Sequence, residues 1–328
     1  MAERKYDVYG IGNALVDLLI EVEEHHLERL KLKKGNLHLM NKDDIKELLA
    51  ELKGHKIVLA PGGSCANTIS TIAKLGGKSV FCGIVGDDEY GNFYCLEMEK
   101  GKVTNNIIKS QGTTGHAVTL ITPDTQRTFS VFLGQAIMLR KEHINHLEIA
   151  QSKILHIEGY LLEDKALQAA ALKAMEIAKA NRVVVSLDLG DPGLISRNIK
   201  DFKSIVQTYA DILFLNEDEA KVFTGCDNVE DALLKASMMT QIVIIKLGKK
   251  GSLIKKGEKI IKIEPVIVNA VDTTGAGDNY AAGFLYGLTK KFDLKKCGEL
   301  GSRLGAEIAK KIGARFDTEI DDIIKELN

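Results

Sequence analysis

The sequence predicts an α/β protein: a mainly parallel sheet covered by helices on both faces, with a small β-sheet lid set apart from it. Three observations carry this expectation. Short apolar runs alternate with helix-period segments along most of the 328 residues, and such alternation builds parallel sheets sandwiched by helices. Several runs end in glycine-rich turns that open helices. Residues 112–134 break the alternation, with period-two patterning on either side of a Thr122-Pro123-Asp124 turn, the mark of a β-hairpin.

Composition narrows the function. A 45% hydrophobic content supports a sizeable core, and 328 residues allow one large domain or two unequal ones. The 44 basic and 45 acidic residues leave a net charge of −1, which argues against a nucleic-acid partner. No apolar stretch approaches the ~20 residues needed to span a membrane. The N-terminus passes from charged residues straight into a strand-like run, so a cytoplasmic protein is expected. Five cysteines, Cys65, Cys82, Cys95, Cys226 and Cys297, lack C-x-x-C spacing and read as reduced, buried thiols.

Residues 6–12 (YDVYGIG) form an apolar run ending in glycines, a buried first strand. Residues 14–22 predict a second strand carrying Asp17 on an otherwise apolar run. An acid there is costly to bury unpaired, so Asp17 lies on an exposed sheet face or awaits a hydroxylated ligand. Asn41 N-caps a helix to about Leu52, with acids in its first turn. A strand over 56–60 leads into Pro61-Gly62-Gly63-Ser64-Cys65-Ala66-Asn67, a glycine turn opening a helix to about Leu75. Asn67 either faces the same mouth as the glycines or belongs to a plain strand-to-helix turn. A strand over 79–85 and a helix from about Gly91 to Lys100 follow.

The hairpin at 114–133 is expected to join the early strands near 14–40 in a separate lid layer. Its Arg127 either decorates the hairpin or points its forked donors at a bound phosphate. Beyond Gly134, strands are expected at 154–157, 183–187, 212–215 and 241–246, with a helix over 165–180. Asn216-Glu217-Asp218-Glu219 starts a helix toward Phe223, Leu247 to Gly251 makes a tight turn, and 252–262 a second hairpin. The C-terminal third holds two or three helices, one spanning Gly301 to Lys311. In open parallel sheets ligands sit beyond the carboxyl ends of the strands, where each glycine turn falls.

The densest signal is Val271-Asp272-Thr273-Thr274-Gly275-Ala276-Gly277-Asp278-Asn279 ahead of an apolar helix. Gly275 and Gly277 can adopt positive φ and leave room for a ligand. The free N–H groups and the dipole of the helix start attract an anion. Asp278 is explained by the general preference for acids in a first turn, or as a base taking the proton of a hydroxyl that attacks that anion. There is no G-x-x-x-x-G-K-[ST] loop, H-R-D motif or G-x-S-x-G elbow. The pairs His25-His26 and His143-x-x-His146 lie in charged segments that do not suggest a metal site.

Asp272 to Asp278 is similar to the second signature of the ribokinase (pfkB) family of sugar and nucleoside kinases. Gly62-Gly63-Ser64 through Asn67, Ala73 to Gly77, and Gly83 to Asp88 resemble its first signature region. Asn216-Glu217-Asp218-Glu219 resembles its N-x-x-E motif. The resemblance covers essentially the whole chain. It implies a ribokinase-like three-layer α/β/α sandwich, mainly parallel, plus the lid. Residues 1–13, 57–109 and 135–328 would form the core; 14–56 and 110–134 would form the lid.

The resemblance also implies roles. Asp278 would be the base, and the N–H groups of Gly275, Ala276 and Gly277 the anion hole, with Thr274 beside the nucleotide. Asn13, Asp17, Gly62, Gly63 and Asn67 would grip substrate hydroxyls, and Arg127 would reach the phosphates. Asn216 and Glu219 would hold Mg²⁺ through water. Gly248 and Gly251 would form the nucleotide-binding turn T-x-G-x-x-G, with Lys246 in place of its threonine. ATP and Mg²⁺ would be required. K⁺, common in the resembled family, would sit near residues 268–272 and Gly313, and some members form homodimers through the lid. Ile11 to Asp17 resembles the G-N-x-L-x-D opening of adenosine kinases, and Glu158-Gly159-Tyr160-Leu161 and Gly313-Ala314-Arg315 resemble their bacterial relatives. The acceptor implied first is the 5′-hydroxyl of adenosine. A ribokinase- or fructokinase-like sugar kinase would share the catalytic residues, and a non-catalytic nucleoside- or sugar-binding protein is the third alternative. With no tryptophan in the chain, a wall for a base must come from Phe, Tyr, Leu or Met.

Overall fold

The computed structural model describes residues 4–124, 126–318 and 320–325. The chain begins with β1 (Tyr6–Ile11), β2 (Leu15–Glu21), α1 (Glu24–Arg29), β3 (Leu37–Leu39), α2 (Lys42–Glu51) and β4 (Ile57–Pro61). Next come α3 (Ser64–Lys74), β5 (Ser79–Gly86), α4 (Glu89–Lys100), β6 (Thr104–Ser110) and the hairpin β7 (Gly115–Ile121) and β8 (Arg127–Phe132). The middle of the chain forms α5 (His146–Ala150), β9 (Ser152–Glu158), α6 (Lys165–Ala180), β10 (Val184–Asp188), α7 (Pro192–Arg197) and α8 (Ile199–Tyr209). Then follow β11 (Ile212–Asn216), α9 (Glu217–Thr224), α10 (Val229–Ala236), β12 (Ile242–Lys246) and the hairpin β13 (Ser252–Lys256) and β14 (Lys259–Ile263). The last elements are α11 (Ala276–Thr289), α12 (Leu294–Ile308) and α13 (Asp321–Lys325).

Nine strands form one sheet in the order β14-β13-β12-β11-β10-β9-β1-β5-β6. It is parallel from β6 to β12 and antiparallel only through the β13–β14 hairpin. Alternate side chains along each strand enter opposite layers. Val8, Ile212 and Ile242 pack in one apolar cluster with Ile69 of α3 and Phe284 of α11. Their chain neighbours Tyr9, Leu213 and Val243 pack in another with Met175 of α6 and Phe223 of α9. The three-layer expectation therefore holds, because the strands are apolar on both faces.

The second sheet has five strands in the order β3-β8-β7-β2-β4. Val16, Leu18, Ile20, Val118 and Leu120 on one of its faces join a cluster with Ile45 and Leu48 of α2. Its other face, carrying Asp17, Phe129 and Val131, looks into the cleft. Residues 57–61, assigned above to the core, belong to this small sheet: β4 pairs antiparallel with β2, from Val16 opposite Pro61 to Ile20 opposite Ile57. The chain leaves the lid only at Gly62, whose N–H still donates to Leu15 O. Residues 1–3 and 326–328 of the expected core segments lie outside the described residues. Among the described residues, no helix is long and apolar enough to cross a membrane, and the five cysteines are unpaired.

Candidate active site

The carboxyl ends of β1, β9, β10, β11 and β12 and the N-termini of α3 and α11 open onto one cleft of about 1430 Å³, roofed by the small sheet. Pockets for single small ligands fall at about 300–1,000 Å³, so the space suits two molecules side by side.

Asp278 sits in the first turn of α11 at the cleft floor. Gly275 precedes the helix at φ 74°, a left-handed conformation, and a Cβ there would lie 2.5 Å from Ala314 Cβ. Only glycine fits this turn. Ala276 N–H closes the turn on Thr273 O, and Gly277 N–H, next in the first turn, has no carbonyl of its own helix to reach. The Asp278 carboxylate accepts from Ser64 Oγ at 2.7 Å and from Asn67 Nδ2 at 2.9 Å. Thr68 Oγ1 donates to its main-chain carbonyl at 3.0 Å. Burial raises its pKa to about 6, the donors Asn67 and Ser64 pulling the other way. It is therefore mostly ionised at neutral pH, yet basic enough to hold a proton in transit.

Asn67, expected to grip a substrate hydroxyl, lines the cleft with one hydrogen bond to protein at each end of its amide, which leaves one hydrogen and one lone pair. Nδ2 faces Asp278, and Oδ1 accepts from Arg315 Nε at 2.9 Å. The same guanidinium donates to Gly62 O at 2.9 Å. Arg315 thereby fixes the orientation of Asn67 and ties it to the Gly62 carbonyl.

The acceptor end lies under the small sheet. Asp17, at a cleft-facing position of β2, packs over Gly62 so closely that a Cβ there would lie 2.6 Å from its carboxylate oxygens. Burial raises the Asp17 pKa to about 6 against the pull of Arg315 and Arg127. Gly63, the N-cap of α3 at φ 93°, abuts Asn13 O. Asn13 is 5% exposed; its N–H and Nδ2 both donate to Glu158 Oε1, at 2.8 and 2.9 Å. Its Oδ1 is left without a protein partner at the cleft wall. Glu158 also accepts from Cys65 N–H at 2.8 Å, and burial raises its pKa to about 7 despite these donors.

The other end of the cleft presents Gly248 and Gly251 in the turn after β12, and an apolar slot between residues 266–270 and the small side chains Gly305, Ala306 and Ala309. Asn216 and Glu219 form a reciprocal capping box at the start of α9. Asn216 Nδ2 and N–H donate to the two Glu219 oxygens, at 2.6 and 2.8 Å. Lys246, at the end of β12, donates to Asp188 Oδ2 at 2.7 Å. Burial opposes the Lys246 charge, but Asp188 and Glu219 outweigh it and raise the pKa. Among the described residues no three acidic, histidine or cysteine side chains cluster as a metal site. Mg²⁺ in phosphate sites usually takes one or two carboxylates and completes its shell with water and phosphate oxygens. Asp188 and Glu219, both on the cleft wall, fit that donor set.

Arg127 does not line the cleft. It is buried at the lid–core junction with NH2 2.6 Å from Asp272 Oδ2. Asp272 also accepts from Thr274 and Gly313 N–H groups. The arginine expected to reach phosphates is thus held against the root of the glycine turn. The two segments expected beside K⁺ do meet: besides the Gly313 bond, Val271 and Asp272 N–H both donate to Ala309 O. Asp188 was not singled out from sequence, and Glu158 and Arg315 stood out only within stretches that resemble bacterial relatives, with no role given to either. An acid closing an apolar strand, as in VVVSLD and ILHIE, is the signal that could have found the first two.

A family model described as pfkB family carbohydrate kinase matches residues 40–321. An uncharacterised sugar kinase of Archaeoglobus fulgidus is 30% identical over 249 residues, covering 74% of this chain and 96% of that protein. The crystal structure of adenosine kinase from Sinorhizobium meliloti superposes with a TM-score of 0.92 at 29% identity, covering 99% of this chain and 100% of the other. A probable sugar kinase from Rhizobium etli superposes with a TM-score of 0.93 at 28% identity, covering 98% of each chain.

Proposed function

This chain belongs to the pfkB family of carbohydrate kinases, and on that premise we propose that it transfers the γ-phosphate of ATP to the 5′-hydroxyl of a nucleoside, adenosine first. Phosphotransfer to a hydroxyl follows from the family; the choice of acceptor is our reading. One observation carries it. The cations lining the cleft, Arg197, Lys246 and Lys249, lie on β12, the turn after it and α7, none of them on the lid. The acceptor end instead pairs Asp17 and Asn13 Oδ1 with an apolar ceiling of Leu37, Leu39, Phe129 and Val131. Such a chamber suits an uncharged polyol attached to a flat apolar group better than a sugar phosphate, because the two guanidiniums nearest Asp17, Arg127 and Arg315, are turned to Asp272 and to Asn67 and Gly62.

In this reading Asp17 and Asn13 Oδ1 accept from the ribose hydroxyls, which leaves the hydroxymethyl group over Asp278. Asp278 takes the hydroxyl proton as the oxygen attacks the γ-phosphorus and the bond to the β-phosphate oxygen breaks. Transfer of this kind depends on positioning and charge stabilisation more than on covalent help. Gly277 N–H and the α11 dipole face the developing charge. Asp188 and Glu219 would hold Mg²⁺, which neutralises phosphate charge when bound. The apolar slot near Val266 and Ala306 suits the adenine of ATP. The unpaired thiols fit a reducing, cytoplasmic setting.

ADP release measured with adenosine, guanosine, cytidine, ribose, fructose and fructose 6-phosphate tests the reading. Adenosine is expected to lead the nucleosides and to exceed ribose and fructose in kcat/KM by at least about tenfold, since its base gains the apolar ceiling. A higher value for ribose or fructose would replace it with a sugar-kinase reading. Tight nucleoside binding with no turnover would point to a binding protein.

A further inference from the structure

We propose that Lys246 is a catalytic residue, its ammonium carrying part of the charge on the γ-phosphoryl group during transfer, and that Asp188 is its resting partner when the nucleotide is absent. The inference rests on the phosphotransfer reading and goes beyond it by naming a cation for the transferring group. Lys246 ends β12, where the resembled turn carries threonine, a residue too short to cross the cleft. Its ammonium does cross: Nζ lies 3.1 Å from where a Cβ on Gly277 would stand, beside the first-turn N–H groups of α11. The Lys246 side chain is 15% exposed and that of Asp188 only 7%, so the ion pair is largely shielded from water, where a charge acts strongly.

Asp188 alone does not account for this placement. A lysine serving only to neutralise Asp188, at the end of β10, need not lie against the glycine turn of α11. The pair also sets up an exchange. Asp188 is one of the carboxylates suited to Mg²⁺, and a carboxylate bound to an ammonium is a poor ligand for a second cation. Phosphate entering the cleft offers Lys246 a new partner and leaves Asp188 free for the metal. During transfer the hydroxyl proton goes to Asp278, the new P–O bond forms, and ADP leaves with the electrons of the broken bond. Lys246 keeps its protons throughout and acts as a fixed charge.

The test uses the full-length protein with Lys246→Met, Asp188→Asn and the double variant. Thermal midpoints, ATP affinity by calorimetry and single-turnover transfer from ATP to adenosine are measured, with fructose substituted if the wild type prefers it. Lys246→Met is expected to slow transfer by about 10²-fold or more, as loss of one oxyanion donor does, and to change ATP affinity by less than about tenfold. It also leaves Asp188 buried without its ammonium, which lowers the thermal midpoint. Adding Asp188→Asn should restore the midpoint and leave transfer slow. Transfer within about threefold of wild type in Lys246→Met, or recovery of rate together with stability in the double variant, overturns the proposal. Neither outcome bears on which acceptor is preferred, since the wild type alone decides that.

Discussion

Replacing Asp278 by Asn removes the base and keeps the shape. The new amide oxygen can accept from Asn67 Nδ2, whose orientation Arg315 fixes. The new amide nitrogen faces Ser64 Oγ, and a hydroxyl can turn to accept. The fold should therefore survive while the acceptor hydroxyl loses its proton sink. A positioned carboxylate base is worth about 10²–10⁴-fold, so kcat should fall at least about 10²-fold with KM for the acceptor little changed. In the wild type, a base with a pKa of about 6 should make kcat/KM drop about tenfold per pH unit below 6 and level off above 7. The variant's residual rate should lack that limb. Residual activity within a few-fold of wild type, or an unchanged acid limb, would refute the assignment of Asp278 as base.

The same residue gives a stability prediction of opposite sign. A carboxyl moved from 3.8 to about 6 on folding prefers its neutral form in the native state by up to about 3 kcal/mol. Between those two values the unfolded chain ionises first, so native stability falls as pH rises from about 4 to 6 and stays lowered above. The uncharged amide of Asp278→Asn escapes this cost. Its thermal midpoint should equal or exceed that of the wild type at pH 7–8, and the advantage should vanish near pH 4.

Three further substitutions probe the surroundings. Arg315→Met removes the donors to Asn67 Oδ1 and Gly62 O; charged hydrogen bonds of this kind contribute about 1.5–3 kcal/mol each, so the thermal midpoint should fall clearly, and the acid limb of kcat/KM should move to higher pH as Asn67 loosens from Asp278. Gly275→Ala sets a Cβ against Ala314 at φ 74°, costing about 1–2 kcal/mol for the backbone alone; Ala314→Gly removes the nearest atom but leaves the Ala314 Cα 2.8 Å away, so it should restore little of the activity, and full activity of Gly275→Ala by itself would show that the turn is not tight. Asp17→Asn should raise the acceptor KM by roughly 10–100-fold, the loss of one charged hydrogen bond, with kcat retained; an unchanged KM in steady-state assays would remove Asp17 from the acceptor site.

What could be read from the sequence was what depends on neighbours along the chain. The glycine turn into α11, the Asn41 cap and the two hairpins are local devices, and each lies where its residues predict. What could not be read depends on partners far away. Residues 57–61 look like any short apolar strand, and only pairing with Val16 to Ile20 places them in the small sheet. Helix α12 was expected from Gly301, yet it starts at Leu294. The glycines Gly298, Gly301 and Gly305 look like breakers, but they let α12 approach closely: a Cβ on Gly301 would stand 2.7 Å from Tyr280 O of α11. Strand β6 (TNNIIKS) is polar because it edges the sheet. Asn67, in its motif, and Arg127, on its hairpin, stood out as candidates, but the residues that hold them, Arg315 and Asp272, lie 248 and 145 positions away.

The cleft carries more buried negative charge than its own cations balance, and that imbalance ties stability to function. Asp17 and Asp278 both have pKa values raised to about 6, chiefly by burial. In the empty cleft each holds its proton to higher pH than a free carboxyl, so that near pH 6 a good part of each is neutral. Hydroxyl groups donate to an ionised carboxylate far better than to a protonated one, so an acceptor that engages both carboxylates lowers their pKa values and drives protons off. Linkage then requires that acceptor affinity rise as pH climbs from about 5 to 7, with proton release on binding across the same range. Calorimetry with adenosine in buffers of different ionisation enthalpy would measure that release directly. In Asp17→Asn the release should shrink, and Asp17→Asn with Asp278→Asn should cut it to what Glu158 contributes through Asn13. Binding that is independent of pH in this window would show that the acceptor does not engage these carboxylates. The placement of the ribose under the small sheet would then fail, whatever the fate of the base assignment.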